Sequence, residues 1–339
     1  MTHGTADVQV SPNELGLAPA DLVSIYRDML TARAVSERLW LLGRQGKVYF
    51  LVSCEGHEAA QVGSVYGMRP GTDIFVPYYR DLAVALALGS EPKDIVLHAL
   101  GKAADPYSGG RQLPGHYSSR ERNIISGSSC VATQILHGVG TAFASKYRGE
   151  DAVTVAYFGD GATSKGDFHE AMNFAAVHKL PVVFLCENNG WAISVPQSRQ
   201  MVVQDISRKA EGYGMPGVTV DGMNVLDVVR ATREARDHAL RGEGPTLIEA
   251  KVHRFSSHSS NDDHRRYRTP QELSAEKESD PVARFRNLLV DLSLLDEPRT
   301  MQIEQEVTAT LDEAVDAAEA SPDPTPESAY THIYSADGA

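Results

Sequence analysis

Two polar motifs near the middle of the chain supply oxygen atoms of the kind that bind magnesium. Asp160 lies between two glycines in the motif GDG at 159–161, and Asn189 is the second of two adjacent asparagines. Magnesium keeps near-octahedral geometry and is usually held by one or two protein oxygens, so that phosphate and water fill its other positions. Asp160 and Asn189 are therefore candidate ligands of a magnesium ion that holds a diphosphate, with the backbone carbonyl of Trp191 as a third.

Each motif ends an apolar run that is typical of a buried strand. The runs cover 152–158 and 181–186, and apolar residues recur at helical spacing between them, over 168–176. Parallel strands joined by a helix end at the same edge of a sheet, and the ligands of such sheets bind at that edge. The pattern predicts a β-α-β unit that brings Asp160 and Asn189 together. Taken singly, each motif is also typical of an ordinary turn or strand end.

Three further features could contact a phosphate ligand. Gly161 and Ala162 lack bulk, so the backbone there can approach a diphosphate closely. Arg80 ends a short loop after a predicted strand at 73–77, and a guanidinium pairs well with phosphate oxygens. The polar segment 253–268 also follows a strand and contains several histidines, which can donate, accept or transfer protons near neutral pH. For Arg80 and for this segment, a solvated surface position is the alternative.

Strand and helix patterns alternate along the chain, which predicts an α/β fold with a parallel sheet flanked by helices. The pattern becomes helical from about residue 270, with a helix start at 280–281, so we expect a helical C-terminal extension. The expected parts are an N-terminal arm at 1–20, a ligand-binding α/β domain at 21–269, a helical C-terminal part of the same body at 270–320, and an extended tail at 321–339 that lies away from the body or over a partner.

The composition is typical of a globular protein that binds neither nucleic acid nor membrane. The net charge of −13 argues against a nucleic-acid surface, and no apolar run approaches the roughly 20 residues of a membrane span. The N-terminus lacks the basic and apolar regions of a secretory signal. Cys54, Cys130 and Cys186 are widely spaced, as expected for reduced thiols in a cytoplasmic protein. No P-loop and no GxGxxG motif after a strand is present, which argues against sites for nucleoside triphosphates and dinucleotides.

The central unit resembles the thiamin-diphosphate-binding motif of a known family. The run GDGATSKGDFHEAMNFAAVHKLPVVFLCENNGWAIS at 159–194 is similar to the alpha subunit of the thiamin-dependent, decarboxylating first component of 2-oxo acid dehydrogenase complexes. The similarity extends from about Tyr26 to Arg286 and includes, in order, RDML, GHEAAQVGS, YYRD, GRQLPGHY, SSCVATQ, VDGMNV and HSSNDD. It implies a thiamin-diphosphate-binding fold with magnesium and thiamin diphosphate bound in 21–269. It also implies decarboxylation of a 2-oxo acid and transfer of the acyl group to a lipoyl arm.

The resemblance implies roles for individual residues as well. Tyr79 and Arg80 would contact the cofactor, and Ser129 and Val131 would lie beside its aminopyrimidine ring. His258 would be the active-site histidine, which contacts the cofactor and assists acyl transfer. The residues expected beside magnesium and diphosphate are Asp160, Gly161, Ala162, Asn189 and Trp191. A potassium site known in some members is matched by Ser128, Thr133 and Gln134.

Two segments resemble the branched-chain type of this family more than the pyruvate type. They are GRQLP at 110–114 and SSHSSNDD at 256–263. Phe50, within the apolar run 48–52, is a candidate wall for an aliphatic substrate side chain, although a place in the core fits equally well. The alternatives are the alpha subunit of a pyruvate or acetoin dehydrogenase and, from another class, a non-catalytic magnesium-dependent ligand-binding subunit.

Four residues depart from the pattern of the family or bear on its regulation. Trp191 replaces the usual tyrosine, which matters little if only its backbone binds the metal. Cys130 replaces a proline that is frequent in branched-chain relatives, which puts the potassium site in doubt. Glu187 stands where some members have a phosphate-binding arginine, so the diphosphate would depend more on Arg80 and His258. Ser259 occupies the position that is phosphorylated in animal relatives.

Thiamin chemistry also requires a carboxylic acid that hydrogen-bonds to the aminopyrimidine ring. In this cofactor class the acid comes from a second α/β domain, and the parts assigned above leave no room for one in this chain. The resemblance therefore implies a separate beta subunit in an α2β2 heterotetramer, with active sites between alpha and beta subunits. The other expected partners are a small-molecule 2-oxo acid and a lipoyl-bearing acyltransferase core.

Overall fold

A sheet of five parallel strands forms the centre of the computed structural model, which describes residues 11–333. The strands in chain order are β1 (Ile74–Val76), β2 (Thr154–Gly159), β3 (Val182–Asn188), β4 (Trp191–Ala192), β5 (Val195–Pro196), β6 (Gly217–Asp221) and β7 (Thr246–Lys251). β4 and β5 pair as a separate antiparallel hairpin, and the other five lie in the order β1-β2-β3-β7-β6. This order confirms the predicted parallel sheet and places the ends of β2 and β3 side by side, with Gly159 opposite Glu187. The outer ends of the predicted arm and tail, 1–10 and 334–339, lie outside the described residues.

The described part of the chain also contains ten α-helices. They are α1 (Pro19–Arg44), α2 (Glu58–Gly67), α3 (Leu82–Ala87), α4 (Pro92–Ala99), α5 (Thr133–Arg148), α6 (Gly166–Val177), α7 (Val225–Leu240), α8 (Pro270–Lys277), α9 (Pro281–Asp291) and α10 (Glu297–Glu319). The predicted helix start at 280–281 is confirmed, because the Asp280 side chain accepts hydrogen bonds from the backbone amides of Val282 and Ala283. None of these helices is long and apolar enough to cross a membrane.

Helices cover both faces of the sheet, as the alternation of strands and helices predicts. Val155 and Tyr157 of β2 pack with α2 and α7 in one buried cluster, whereas Ala156 and Phe158 pack with α5 and α6 in another. Successive strand residues point to opposite faces, so both faces of each apolar run are buried. The polar motifs begin where these buried runs end.

The N-terminal and C-terminal helices form a further buried layer. Apolar side chains of α1 pack with those of α4, α9 and α10. Arg33 of α1 forms ion pairs of 2.6 Å with Glu58 of α2 and of 2.7 Å with Asp280, which precedes α9. The predicted helical extension is thereby attached to the body that carries the sheet.

The described part of the predicted tail, 321–333, lies against the loop after α4. The Pro322 carbonyl accepts a hydrogen bond of 3.0 Å from the backbone amide of Ala103, and Asp323 forms an ion pair of 2.8 Å with Lys102. This stretch is thus attached to the body, in contrast to the expected extended tail. The division of the chain into four parts stays a prediction.

Candidate active site

A cavity of about 780 Å³ opens at the carboxyl ends of β1, β2 and β3. Its size lies within the range of roughly 300–1,000 Å³ that is typical of small-molecule sites. All the residues for which the sequence predicts a site role line it, namely Phe50, Tyr79, Arg80, Ser128, Ser129, Val131, Thr133, Gln134, Asp160, Gly161, Ala162, Asn189, Trp191 and His258. The fold therefore brings them to one place, while their individual roles stay predictions.

Asp160 is a buried carboxylate at the end of β2. It is 1% exposed, and its Oδ2 accepts a hydrogen bond of 2.8 Å from Gln200 Nε2. Burial raises the pKa of Asp160, because the charged form loses its contact with water. A bound cation would counteract this rise, so the position suits a metal ligand. Gln200 belongs to no recognisable motif, and the sequence does not identify it.

Asn189 follows β3 and is held at both ends of its amide. Its Oδ1 accepts a hydrogen bond of 3.2 Å from the backbone amide of Trp191, and its Nδ2 lies 3.1 Å from Nε2 of the buried His57. Within residues 11–333, no three histidine, cysteine or acidic side chains form a metal-binding group. One carboxylate with neutral oxygens is the donor set expected for a magnesium ion that shares its shell with a diphosphate.

Gly161 allows the hairpin of β4 and β5 to pack against the end of β2. A Cβ atom at Gly161 would lie 2.8 Å from Cβ of Ala192, which is closer than two such carbons can approach. Contact with the hairpin is therefore a second reason for glycine here, in addition to the predicted room for a diphosphate. The same contact keeps β4, and with it Trp191, at the cavity wall.

Two buried guanidinium groups lie beside His258. Arg80 is 2% exposed, and its Nη1 donates a hydrogen bond of 2.7 Å to the Ser53 carbonyl. Arg254 is also buried, and its Nη1 lies 3.5 Å from Nδ1 of His258. The partners of both guanidinium groups in the described structure are neutral groups, with no carboxylate at ion-pair distance. Buried cations without an anionic partner are costly, so Arg80, which lines the cavity, fits an anionic ligand such as a diphosphate. Arg254 does not line the cavity and adds its charge beside His258.

His258 is a neutral imidazole with a defined tautomer. Burial, followed by the charges of Arg80 and Arg254, lowers the pKa of His258 to about 3. Guanidinium groups can only donate hydrogen bonds, so Nδ1 accepts and Nε2 carries the proton. The backbone amide of His258 donates to Asp262 Oδ2 at 2.9 Å, which fixes the position of the residue. His258 can therefore donate a hydrogen bond from Nε2 to a ligand in the cavity.

The turn before α5 forms another wall and contains Ser129 and Val131. Ser129 Oγ lies 2.6 Å from His116 Nε2, and Nδ1 of the same histidine lies 2.8 Å from the Leu113 carbonyl oxygen. A carbonyl oxygen can only accept, so Nδ1 of His116 donates to Leu113, and His116 connects this carbonyl to the Ser129 hydroxyl. Ala132 has φ of 78°, which is uncommon for a non-glycine residue and typical of strained backbone at binding sites. The sequence does not identify His116 as part of the site.

The residues of the predicted potassium site lie in the turn before α5 and in its first two residues. Thr133 donates a hydrogen bond of 2.8 Å to Asp167, and Ser128 Oγ accepts one of 3.1 Å from the backbone amide of Cys130. Gln134 Oε1 is buried and has no hydrogen-bond partner in the described part of the chain. A cation at this position would satisfy that oxygen.

Glu187 is buried behind the loop 78–80 and is not part of the cavity wall. Its Oε2 accepts hydrogen bonds of 3.0 Å from Gln61 Nε2 and of 3.1 Å from the Tyr78 hydroxyl. Burial raises the pKa of Glu187 to about 7, and burial and Glu187 raise the pKa of Asp81. The carboxyl group of Glu187 therefore supports the loop 78–80, which carries Arg80.

Trp191 contributes its side chain as well as its backbone. Its ring packs on Tyr267 with 5.4 Å between centroids, and the Arg268 guanidinium lies 5.8 Å from the ring centre. The indole thus connects the hairpin of β4 and β5 to the segment 253–268, which carries His258. The identity of this side chain is therefore more important than its backbone role alone suggests.

Phe50 lies in an apolar part of the cavity wall. Val52 and Leu113 line the cavity with it. Phe50 belongs to none of the three buried clusters that make up the described core. Its position therefore favours the interpretation as a wall of the site over a place in the core.

Comparison with known proteins connects this site to a family. The family model described as "Dehydrogenase E1 component" matches residues 26–327. The chain is 48% identical to the 2-oxoisovalerate dehydrogenase subunit alpha of Bacillus subtilis, over 94% of this chain and 97% of the relative. It is 40% identical to the 3-methyl-2-oxobutanoate dehydrogenase subunit alpha of Mycobacterium tuberculosis, over 91% and 82%. A pyruvate dehydrogenase E1 component subunit alpha of Staphylococcus aureus is 36% identical, over 89% and 79%.

Proposed function

Because this chain belongs to the dehydrogenase E1 component family, we propose that it acts as the alpha subunit of a branched-chain 2-oxo acid dehydrogenase. The activity is that of 3-methyl-2-oxobutanoate dehydrogenase, which decarboxylates the 2-oxo acid oxidatively and transfers the 2-methylpropanoyl group to a lipoyl domain. The relatives at 48% and 40% identity carry names of this activity, whereas the pyruvate relative is 36% identical. These identities favour the branched-chain substrate over pyruvate or acetoin.

The observation that carries the proposal is the meeting of magnesium-type oxygens and an unpaired guanidinium group in one cavity. Asp160 and Asn189 supply oxygens at its wall, together with the Trp191 carbonyl, and would hold magnesium. Arg80 lines the same cavity and is buried without an anionic partner among the described residues. A magnesium-bound diphosphate would satisfy both the oxygen ligands and the guanidinium group of Arg80. We assign it to thiamin diphosphate, which supplies the electron sink for decarboxylation when bound.

The protein groups then have distinct tasks at the site. Arg80, at the cavity wall, attracts the diphosphate, and Arg254 adds positive charge beside His258. Gln200 orients Asp160 through its hydrogen bond of 2.8 Å. The neutral His258 presents a donor at Nε2 and assists acyl transfer to the lipoyl group. Tyr79, at the cavity wall, contacts the cofactor.

The cavity also has a suitable wall for an aliphatic substrate. Phe50, Val52 and Leu113 line it with apolar side chains. A branched alkyl group would lose its contact with water at this wall, which favours binding by the hydrophobic effect.

The site is incomplete without a second chain. Among residues 11–333, the two carboxylates of the cavity wall are Asp160, which we assign to magnesium, and Asp167, which accepts a hydrogen bond from Thr133. Neither is left to serve the aminopyrimidine ring, so we assign that role to an acid of a beta subunit in an α2β2 heterotetramer. A lipoyl-bearing acyltransferase core is the acceptor in this proposal, and the cytoplasm is the location. Ser128, Thr133 and Gln134 form a potassium site beside the cofactor.

A comparison of two substrates tests the proposal. The chain is purified with its beta subunit, and turnover of 3-methyl-2-oxobutanoate and of pyruvate is measured with thiamin diphosphate, magnesium and a lipoyl domain. We expect higher kcat/KM for 3-methyl-2-oxobutanoate. A preference for pyruvate would reject the substrate assignment, and robust turnover by this chain alone would reject the need for a beta subunit.

A further inference from the structure

A second cavity, of about 320 Å³, lies between α1 and the segment that carries His258. It shares no wall residue with the first cavity, so it is a separate compartment. Its volume is at the lower end of the range of roughly 300–1,000 Å³ for small-molecule sites. The wall residues used below are Glu37, Trp40, Arg44, Glu55, Phe255 and Ser256.

Charged groups of both signs line this cavity without pairing with each other; Glu37 and Arg44 are exposed at its mouth, and Glu55 is partly buried. Glu37 and Arg44 are on α1, and Glu55 follows it in the chain. None of the three forms an ion pair of 4.0 Å or less with any residue of the described structure. Burial raises the pKa of Glu55, and its Oε1 accepts a hydrogen bond of 3.1 Å from Ser53. A ligand that carries both a cationic and an anionic group would find a partner for each.

An unpaired polar atom and two aromatic rings complete the wall. Ser256 is 8% exposed, and its Oγ is buried with no hydrogen-bond partner in residues 11–333. Unsatisfied buried hydroxyls are uncommon in folded proteins, and a ligand is one way to satisfy them. Trp40 and Phe255 provide the apolar part of the wall.

We propose that this second cavity binds a small zwitterion of the α-amino acid class with an apolar side chain. The ligand carboxylate pairs with Arg44, and its ammonium group pairs with Glu37 and Glu55. The Ser256 hydroxyl adds a hydrogen bond, and the ligand side chain packs on the aromatic rings of the wall.

The position of the cavity connects this ligand to the cofactor site. Glu55 accepts a hydrogen bond from Ser53, whose carbonyl in turn accepts one from Arg80. On the other wall, Ser256 precedes His258 by two residues. A ligand that contacts Glu55 and Ser256 therefore acts directly on both segments that hold the groups of the first cavity.

Calorimetry on the α2β2 protein, with thiamin diphosphate and magnesium at saturation, tests the proposal. L-leucine is the probe, 4-methylpentanoate lacks its ammonium group, and 3-methylbutylamine lacks its carboxylate. We expect L-leucine to bind, and each analogue to bind about twofold to fivefold more weakly, because an ion pair at the mouth of the cavity is lost. No binding of L-leucine, or equal binding of all three compounds, would overturn the proposal.

Variants then locate the bound amino acid. Arg44→Gln is expected to weaken L-leucine binding by about twofold to fivefold, since it removes the exposed partner of the carboxylate. Arg120→Gln replaces an exposed arginine outside both cavities and should leave the affinity unchanged. Leu113→Ala changes the first cavity outside both connecting segments and should also leave the affinity unchanged, and a loss in that variant would place L-leucine in the first cavity and reject the second site. Because binding is measured directly, the outcome does not depend on the substrate that the enzyme decarboxylates.

Discussion

Nδ1 of His258 lies 3.4 Å from Nη2 of Arg80. This contact connects the imidazole that we propose to assist acyl transfer to the guanidinium group that we propose to bind the diphosphate. With a cation so close, protonation of the imidazole is unfavourable, and the side chain is neutral at physiological pH. A diphosphate that binds Arg80 would offset this charge. Occupation of the phosphate site and the proton affinity of His258 are therefore coupled in this protein.

The cofactor-free chain should lose stability below about pH 6 because of His258. Its folded pKa of about 3 lies below the unfolded value of about 6.5, so the unfolded state binds more protons between these values. The free energy of unfolding therefore falls as the pH decreases from 7 to 5, by about 2 kcal/mol for this group. Urea unfolding at both pH values measures it, with His258→Asn as the control that lacks the titration. An equal loss of stability in both proteins would contradict the low pKa.

Asp160→Asn should abolish most of the magnesium-dependent binding of thiamin diphosphate. The substitution keeps the shape and the contact with Gln200 but removes the only charge that we assign to the metal. We expect the affinity to fall by more than about 100-fold, and Gln200→Ala, which removes only the orienting hydrogen bond, to lower it by about tenfold. Calorimetry with the beta subunit present measures both. Wild-type affinity in Asp160→Asn would refute the assignment.

Gly161→Ala should destabilise the hairpin that carries Trp191, because the added Cβ would lie 2.8 Å from Cβ of Ala192. Such overpacking typically costs about 1–3 kcal/mol in the free energy of unfolding. The double variant Gly161→Ala with Ala192→Gly removes the clash, since the next atom lies 3.4 Å away. Thermal and urea unfolding of the single and double variants check this relationship. A double variant that is no more stable than Gly161→Ala alone would show that the contact is not the cause.

The elements around the site could be predicted from the sequence because their signals are local. The apolar runs before Asp160 and Asn188 are continuous in the chain, and the rule that ligands bind at strand ends then places both motifs on one edge. The fold class, the helix start at 280–281 and the shared location of the site residues follow from these local patterns together with the family resemblance. The individual roles within the site are not fixed by them.

The supporting contacts could not be predicted, because they join residues that are far apart in the chain. Gln61 lies 126 residues before Glu187, and Gln200 lies 40 residues after Asp160. No spacing in the sequence indicates which polar side chain will meet which across the packed helices. The support that Glu187 gives to the loop 78–80 depends on its hydrogen bond with the Tyr78 hydroxyl, which forms only once the sheet has brought these two residues together.

Phe50→Ala should change the substrate preference of the enzyme, because it removes an aromatic ring from the apolar cavity wall. The isopropyl group of 3-methyl-2-oxobutanoate would lose contacts there, whereas the methyl group of pyruvate is too short to need them. Each lost apolar group of this size is worth roughly 1–3 kcal/mol, so kcat/KM for the branched substrate should fall by about 10–200-fold relative to pyruvate. Tyr49→Ala is the matched control, since the neighbouring Tyr49 is 91% exposed and should not affect the ratio. Steady-state kinetics with both substrates measures the ratio, and an unchanged ratio in Phe50→Ala would show that this wall does not contact the alkyl group.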